Sequence, residues 1–287
     1  MRPEISVCMP VYNGRQFVRR AVASVLAQDF SGFELVIGDD GSTDGTQEIC
    51  ESLHDPRIRI ERFATNVGLA RNWNRTIQAC RGKYVKFLAQ DDLLMPNAFQ
   101  IFNYHRKLYP EGRFYFCANE QIDEYDGHLR FRRPPFRRPV LNSEELVRDL
   151  FIHGNIVGGP SNTLIHADAF ASTGWFDDRS VFALDWIMWI QLAQRFGGVY
   201  VDTPLVRIRE HSKSETSRLS AGMAGVVDGY RALQILEERE PALRSWVRLA
   251  KRACWKALPK IAVKHAVQTR NFPTEALDLA LHMWKER

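Results

Sequence analysis

Apolar residues crowd into short runs over the N-terminal third of the chain, and polar joints separate them. Residues 5–11 (Ile-Ser-Val-Cys-Met-Pro-Val) form an almost continuous apolar run, the pattern of a strand buried on both faces. Asn13 and Gly14 break it. Between 15 and 27 the apolar positions Val18, Ala21, Val22, Val25 and Leu26 recur at helical spacing. Further strands are expected over 33–38, 58–63 and 84–89, with helices over 44–53 and 67–80. Ser42 or Thr43 suits the cap of the first of these helices. Strand and helix alternating through short polar joints imply a parallel α/β sheet with crossover helices. Ligands of such sheets bind beyond the carboxyl ends of the strands.

After about residue 95 the alternation loosens. The pattern predicts a helix over 97–108, a strand over 113–118 and a helix over 144–152. A turn follows at Gly158-Gly159-Pro160-Ser161, then an apolar helix over 186–196. Residues 199–209 read as an edge strand or ribbon, and the Arg- and Pro-rich stretch 130–138 as a solvated loop. Beyond 219 the chain reads as all helix, and no internal repeat is visible. The expected organisation is one α/β domain in two halves, 1–95 and 96–218, with a helical extension over 219–287.

Composition narrows the class without naming it. The 287 residues are 45% hydrophobic and 11% aromatic, which excludes a disordered chain. The 39 Lys and Arg exceed the 34 Asp and Glu by five, enough for anionic substrates or a membrane surface but small for a nucleic-acid binder. No run approaches the roughly 18 apolar residues of a membrane span; the best, 182–193, contains Asp185 and Gln191. No secretory apolar region precedes the first strand, and the five cysteines are scattered without a Cys-x-x-Cys pair. Both features fit a reduced, cytoplasmic setting.

Acidic residues cluster where the strands end. Asp91 and Asp92 follow the 84–89 strand; adjacent carboxylates repel unless a cation lies between them. A plain solvated turn is the alternative. Asp39-Asp40-Gly41-Ser42-Thr43-Asp44 ends the second strand, where a carboxylate suits a nucleobase N–H or, equally, a capped βα loop. Asp185 opens the apolar helix, as a cap or as a carboxylate that the helix N-terminus keeps ionised. His211 reads as a surface histidine or a metal ligand, and Arg71 as a helix surface charge or a phosphate clamp.

Taken in order, these pieces resemble a known family. Pro10-Val-Tyr-Asn13, Asp39-Asp40-Gly-Ser-Thr-Asp44, Asn66-x-Gly-x-x-x-Asn72, Gln90-Asp91-Asp92, Asp185-Trp-x-x-Trp and Arg-x-His211-x-x-Ser look like the family-2 inverting glycosyltransferases of GT-A fold, over about residues 4–217. The resemblance implies a Rossmann-like, mostly parallel sheet flanked by helices, and a nucleotide-sugar half over 1–95. It implies that Pro10, Tyr12, Asn13, Asp39, Asp40, Asn66, Arg71 and Asp91 bind the nucleotide sugar, with a UDP-sugar favoured. It implies that Asp92 and His211 bind Mn²⁺ or Mg²⁺ and that Asp185 is the base which deprotonates a glycan, lipid-linked or protein-linked acceptor. Two positions depart from the pattern: Leu184 precedes the base where an acid is usual, and Gln90 opens the metal motif. A catalytically silent nucleotide-sugar-binding subunit is the alternative function.

One basic feature lies outside the resemblance. Arg244, Arg248, Arg252, Lys256, Lys260 and Lys264 recur every four residues, a single stripe on a helix that Pro259 is expected to kink or interrupt. It reads as a solvated helix face in preference to an amphipathic contact with anionic lipid at the inner membrane face.

Overall fold

The structure is a computed structural model that describes residues 2–212, 214, 223–269 and 273–285. Its packing forms two units, one of Met1–Asp178 with Met188–Glu210, the other of Arg179–Ile187 with His211–Arg287.

The first unit is built on a sheet of ten described strands. These are β1 (Ile5–Val11), β2 (Phe33–Asp39), β3 (Ile58–Arg62), β4 (Tyr84–Phe87), β5 (Leu93–Leu94), β6 (Phe114–Ile122), β7 (His128–Arg132), β8 (Val140–Leu141), β9 (Thr163–His166) and β10 (Gly198–Arg209). The order is β3-β2-β1-β4-β9-β6-β10-β5, with β7 beside β6 and β8 beside β10. Strands β1 to β4 run parallel, β9 is antiparallel to both its neighbours, and β10 is parallel to β6. Helices α1 (Val18–Leu26), α2 (Thr46–Glu51) and α3 (Leu69–Ala79) make the crossovers among the parallel strands. The chain continues through α4 (Ala98–Leu108), α5 (Ser143–His153), α6 (Ala169–Thr173) and α7 (Leu184–Phe196).

The hydrophobic pattern explains the core. Every residue of β1 is buried, as its unbroken apolar run requires of a central strand. On α1 the buried residues are Val18, Ala21, Val22 and Val25, and Leu26 packs at the margin. Full burial of such a side chain contributes about 1.5–3 kcal/mol. Midway along α7, Trp189 stacks on Phe114 at 5.4 Å between centroids and donates its indole N–H to the Gly158 carbonyl at 2.9 Å. An apolar helix therefore carries no unpaired polar atom at its largest side chain.

Three sequence readings need correction. The stretch 130–138 is not wholly a loop, because Arg130 to Arg132 belong to β7, antiparallel to β6. Its Arg and Pro content hides the period-two alternation of His128-Leu129-Arg130-Phe131-Arg132, whose five residues are all exposed. Residues 199–209 are not an edge, since β10 pairs β6 on one side and β5 and β8 on the other. Pro204 cannot donate to a ladder, and the register shifts on both sides of it allow the strand to stay interior. Finally, α2 begins at Thr46 after Gly45, so neither Ser42 nor Thr43 caps it; Asp44 accepts the Thr46 N–H at 3.0 Å.

The second unit holds α8 (Ala224–Arg239), α9 (Arg244–Thr269) and α10 (Thr274–Lys285). Tyr230, Leu233, Leu236, Val247, Leu258 and Met283 are buried there. Pro259 does not interrupt α9 and lies on its exposed side. Among the described residues no helix is long and apolar enough to cross a membrane. All five cysteines are free thiols, as their spacing implied.

The approach of α3 to the sheet depends on Gly38 of β2. A Cβ there would overlap Thr76 Oγ1 and lie 3.0 Å from Thr76 Cβ. Gly38→Ala is expected to cost about 1–3 kcal/mol in urea unfolding, and adding Thr76→Ala to recover part of that loss. Equal stability of the single variant and the parent would contradict this packing.

Candidate active site

Parallel pairing brings the acidic strand ends together. β1 lies between β2 and β4, with Val11 in register with Asp39 and Cys8 with Phe87. Adjacent strands are about 4.8 Å apart, so groups beyond the ends of β2 and β4 are separated by roughly 10 Å. The loop after β1 supplies Tyr12 and Asn13, that after β2 supplies Asp40, and that after β4 supplies Asp91 and Asp92.

Each loop is tied to its neighbour. Asn13 adopts a left-handed conformation at φ 49°. Its N–H donates to Ser42 Oγ and its side-chain oxygen accepts from Thr43 N, both at 2.9 Å. Asp39 Oδ1 accepts from the N–H and hydroxyl of the same Ser42. Gln90 and Tyr12 form a reciprocal pair: the Tyr12 N–H donates to Gln90 Oε1 at 2.9 Å, and Gln90 Nε2 donates to the Tyr12 carbonyl at 3.0 Å. Glutamine at this position thus serves as a clamp that a carboxylate, having no donor, would not reproduce.

Asp40 is only 2% exposed. Its two oxygens accept from Val67 N at 2.9 Å and Gly68 N at 3.1 Å, fixing the loop before α3. A carboxylate has about four acceptor sites, so two remain. Asn66 Oδ1 also accepts from Gly68 N, at 3.0 Å. Pro10 is buried in β1. Arg71 is 64% exposed on its side chain and donates to Asp178 at 2.7 Å.

Asp92 is buried as well. It is 5% exposed, and its Oδ1 accepts from the Arg209 N–H at 2.9 Å. Ser161 also hydrogen-bonds it and receives the Ala89 N–H at 2.9 Å. Burial, reinforced by the charge of Asp91, pushes its carboxyl up to about 7.

Several residues that organise the site escaped sequence reasoning. Arg209 has a fully buried side chain. Its Nε donates to the Asp91 carbonyl at 2.9 Å and its Nη1 to the Asp123 carbonyl at 2.8 Å, while Nη2 lies 2.6 Å from Asp126. Lys86 is buried in β4 and donates to the carbonyls of Phe87 and Ser161; burial lowers its ammonium to about 8. Asp228 of α8 is buried, and its Oδ2 accepts from Ser180 Oγ at 2.7 Å, Phe182 N at 2.8 Å and Ala183 N at 3.0 Å. It thereby holds the segment that leads into Asp185. No local motif marks these residues, because, apart from the Phe87 carbonyl beside Lys86, these partners lie 45 or more positions away in the chain.

Asp185 and His211 belong to the second unit. Asp185 stands second in α7, inside the first turn, and accepts the Trp186 N–H at 2.7 Å. His211 follows β10 and is half-buried. Leu184 is buried, an apolar position that explains why no acid precedes the candidate base. The structure therefore brings together nine of the eleven sequence-chosen residues in the first unit and the other two in the second.

Among the described residues no three His, Cys, Asp or Glu side chains gather into a metal cage. The pair Asp91-Asp92 fits a hard cation bound by one or two carboxylates and completed by water and phosphate oxygens.

Residues 6–138 match the sequence profile of Glycosyl transferase family 2. An uncharacterised glycosyltransferase of Rickettsia typhi is 31% identical over 219 residues, 75% of this chain and 66% of the relative. The chain belongs to glycosyl transferase family 2. The Escherichia coli glycosyl transferase WcaA, whose name assigns it to colanic acid biosynthesis, is 32% identical over 158 residues, 54% of this glycosyltransferase and 55% of WcaA. The fold agrees. Residues 1–349 of Staphylococcus aureus TarS, solved with UDP-GlcNAc, superpose with a TM-score of 0.68 at 16% identity, covering 81% of this chain and 65% of that one. The mannosyltransferase PcManGT of Pyrobaculum calidifontis, solved with GDP-Man and Mn²⁺, gives 0.61 at 17%, covering 98% and 79%. This glycosyltransferase has the GT-A fold, and it spans about two thirds or less of the Rickettsia, WcaA and TarS chains.

Two measurements test the site. The carboxyl of Asp92 is raised from the usual 3.8 to about 7, so between those values the folded protein holds a proton that the unfolded chain has lost. Its contribution to stability therefore falls as pH rises through that window. A cation bound to Asp92 would have to displace the same proton, so apparent Mn²⁺ affinity in the presence of UDP should then weaken up to about tenfold per pH unit below 7 and level off above it. Calorimetry that finds the same affinity at pH 6 and pH 8 would contradict this. Asp228→Asn turns an amide toward backbone donors and should cost about 2–4 kcal/mol in denaturant unfolding; a change within about 0.5 would exclude the anchoring role.

Proposed function

We propose that this glycosyltransferase moves a sugar from a nucleoside-diphosphate sugar to a hydroxyl of a glycan, lipid-linked or protein-linked acceptor, inverting the anomeric centre with the help of Mn²⁺ or Mg²⁺. One observation carries the reading: Asp39 and Asp40 at the carboxyl end of β2, and Asp91 and Asp92 after that of β4, belong to two parallel strands with only β1 between them. A UDP-sugar is the favoured donor. The fold neighbours solved with UDP-GlcNAc and with GDP-Man and Mn²⁺ support a nucleotide-sugar donor and a divalent cation. Likeness to WcaA supports a place in polysaccharide assembly.

Each residue then has a task. Tyr12, Asn13 and Asp39 border the nucleotide, beside Pro10 and Asn66. Asp40 accepts a base N–H on a site left open by Val67 and Gly68. Asp91 faces the ribose. Arg71 contacts the diphosphate on exchanging Asp178 for it. Asp92 would hold the cation, which would supply electrostatic stabilisation to the departing diphosphate; His211, of the second unit, is the further candidate ligand that the sequence offers. Asp185 takes the acceptor's proton while the acceptor oxygen bonds to the anomeric carbon from the face opposite the breaking carbon–phosphate-oxygen bond. Departure leads attack, so proton transfer is late and a carboxylate in the first turn of a helix suffices.

Asp185→Asn should lower kcat by about 10²–10⁴ with donor KM little changed. Transfer by the variant at the parental rate would remove Asp185 from the chemistry. Donor binding by the parent protein without any transfer or hydrolysis would favour the silent binding subunit.

A further inference from the structure

We propose that the solvent face of α9 is a docking surface for an anionic lipid bilayer. This inference goes beyond the reading of the active site and does not depend on it.

Helix α9 contains seven Lys and Arg and no Asp or Glu. Lys251 faces inward and pairs with Glu237 at 2.7 Å. Arg244, Arg248, Arg252, Lys256 and Lys260 are all exposed, and none has a carboxylate partner among the described residues. The side chain of Lys264, the sixth member of the stripe, lies outside the described residues. With a rise of about 1.5 Å and a turn of about 100° per residue, the five exposed cations extend along about 24 Å of the helix and drift through about 160° of its solvent side. A packed helix in an ordinary domain mixes both signs on its exposed face, because unrelieved like charges at four-residue spacing repel. Here the repulsion is uncompensated within the described protein, and a negatively charged surface relieves it.

The arginines of the β6–β7 region provide the internal contrast. Arg130 pairs with Glu210, Arg133 with Asp202 and Arg138 with Glu145. An arginine that already holds a carboxylate must release it before binding another anion. Among the described residues, the five exposed cations of α9 have no carboxylate to release.

The apolar residues of the same face specify lipid. Leu249 is 60% exposed. At about 100° per residue it falls between Lys256 and Lys260 in projection, with exposed Ala253 next to them. An exposed leucine among lysines suits the boundary between headgroups and acyl chains, where lysine stems also lie along apolar surface. A single-stranded nucleic acid would instead need exposed rings for its bases to stack on, and Trp246 and Trp255 of α9 are half-buried.

The test uses the purified full chain with vesicles of phosphatidylcholine alone and of phosphatidylcholine mixed equally with phosphatidylglycerol. At low salt the protein should sediment with the anionic vesicles and not with the neutral ones, and high salt should release it. Combined Arg248→Glu, Arg252→Glu and Lys256→Glu should lower the partition coefficient by about 100-fold or more, at roughly fivefold per cation. Leu249→Gln should weaken binding with the salt dependence retained, and Arg130→Glu should leave binding as in the parent. Circular dichroism shows whether the triple variant keeps its helices; if it does not, the single changes Arg252→Gln and Lys256→Gln should each lower partitioning severalfold. Failure of the parent protein to bind anionic vesicles at low salt, parental binding by the folded triple variant, or retention on a nucleic acid without vesicle binding would each overturn the proposal.

Discussion

Like charges at neighbouring strand ends are the constraint around which the first unit is built. Parallel pairing of β2, β1 and β4 places two aspartate pairs within roughly 10 Å, and buried Lys86 and Arg209 offset part of the charge after β4. The protein manages the repulsion with directed N–H and O–H groups. Val67 and Gly68 serve Asp40, Ser42 serves Asp39, and Ser161 with the Arg209 N–H serves Asp92. Such bonds keep carboxylates in place and leave lone pairs free for a ligand, whereas a salt bridge to each would have consumed them.

The buried cations next to the site act on the backbone. Lys86 donates to two carbonyls, and Arg209 to the carbonyls of Asp91 and Asp123. Through Arg209 the turn that joins β6 to β7 is tied to the loop carrying Asp91 and Asp92. Hydrogen bonds from charged donors are worth about 1.5–3 kcal/mol each, so this loop is among the better anchored of the molecule. Rigid placement is what a site needs when its main task is to stabilise charge on a leaving group.

Much of this was legible in the sequence because the N-terminal alternation is regular. Period alone marks the strands from 5 to 89 and their helices, and it puts the acidic pairs at strand ends. The short strands β5, β8 and β9 were not legible, since two to four residues carry no period. Strand β10 was misread as an edge because Pro204 and its charged neighbours imitate one, although the bulges around Pro204 keep it interior. Strand β7 was hidden by its arginines. The candidate acids stand in short acidic motifs, whereas Lys86, Ser161, Arg209 and Asp228 carry no such mark, because their meaning arises from contacts between segments remote in sequence.

The central claim is that the acids beyond β4 hold a divalent cation together with a nucleoside diphosphate. Electron paramagnetic resonance of Mn²⁺ with UDP and the purified protein tests it most directly. The account predicts a bound Mn²⁺ signal with hyperfine coupling to phosphorus that disappears in Asp92→Ala. Free Mn²⁺ under saturating UDP, or an unchanged bound signal in that variant, would contradict it.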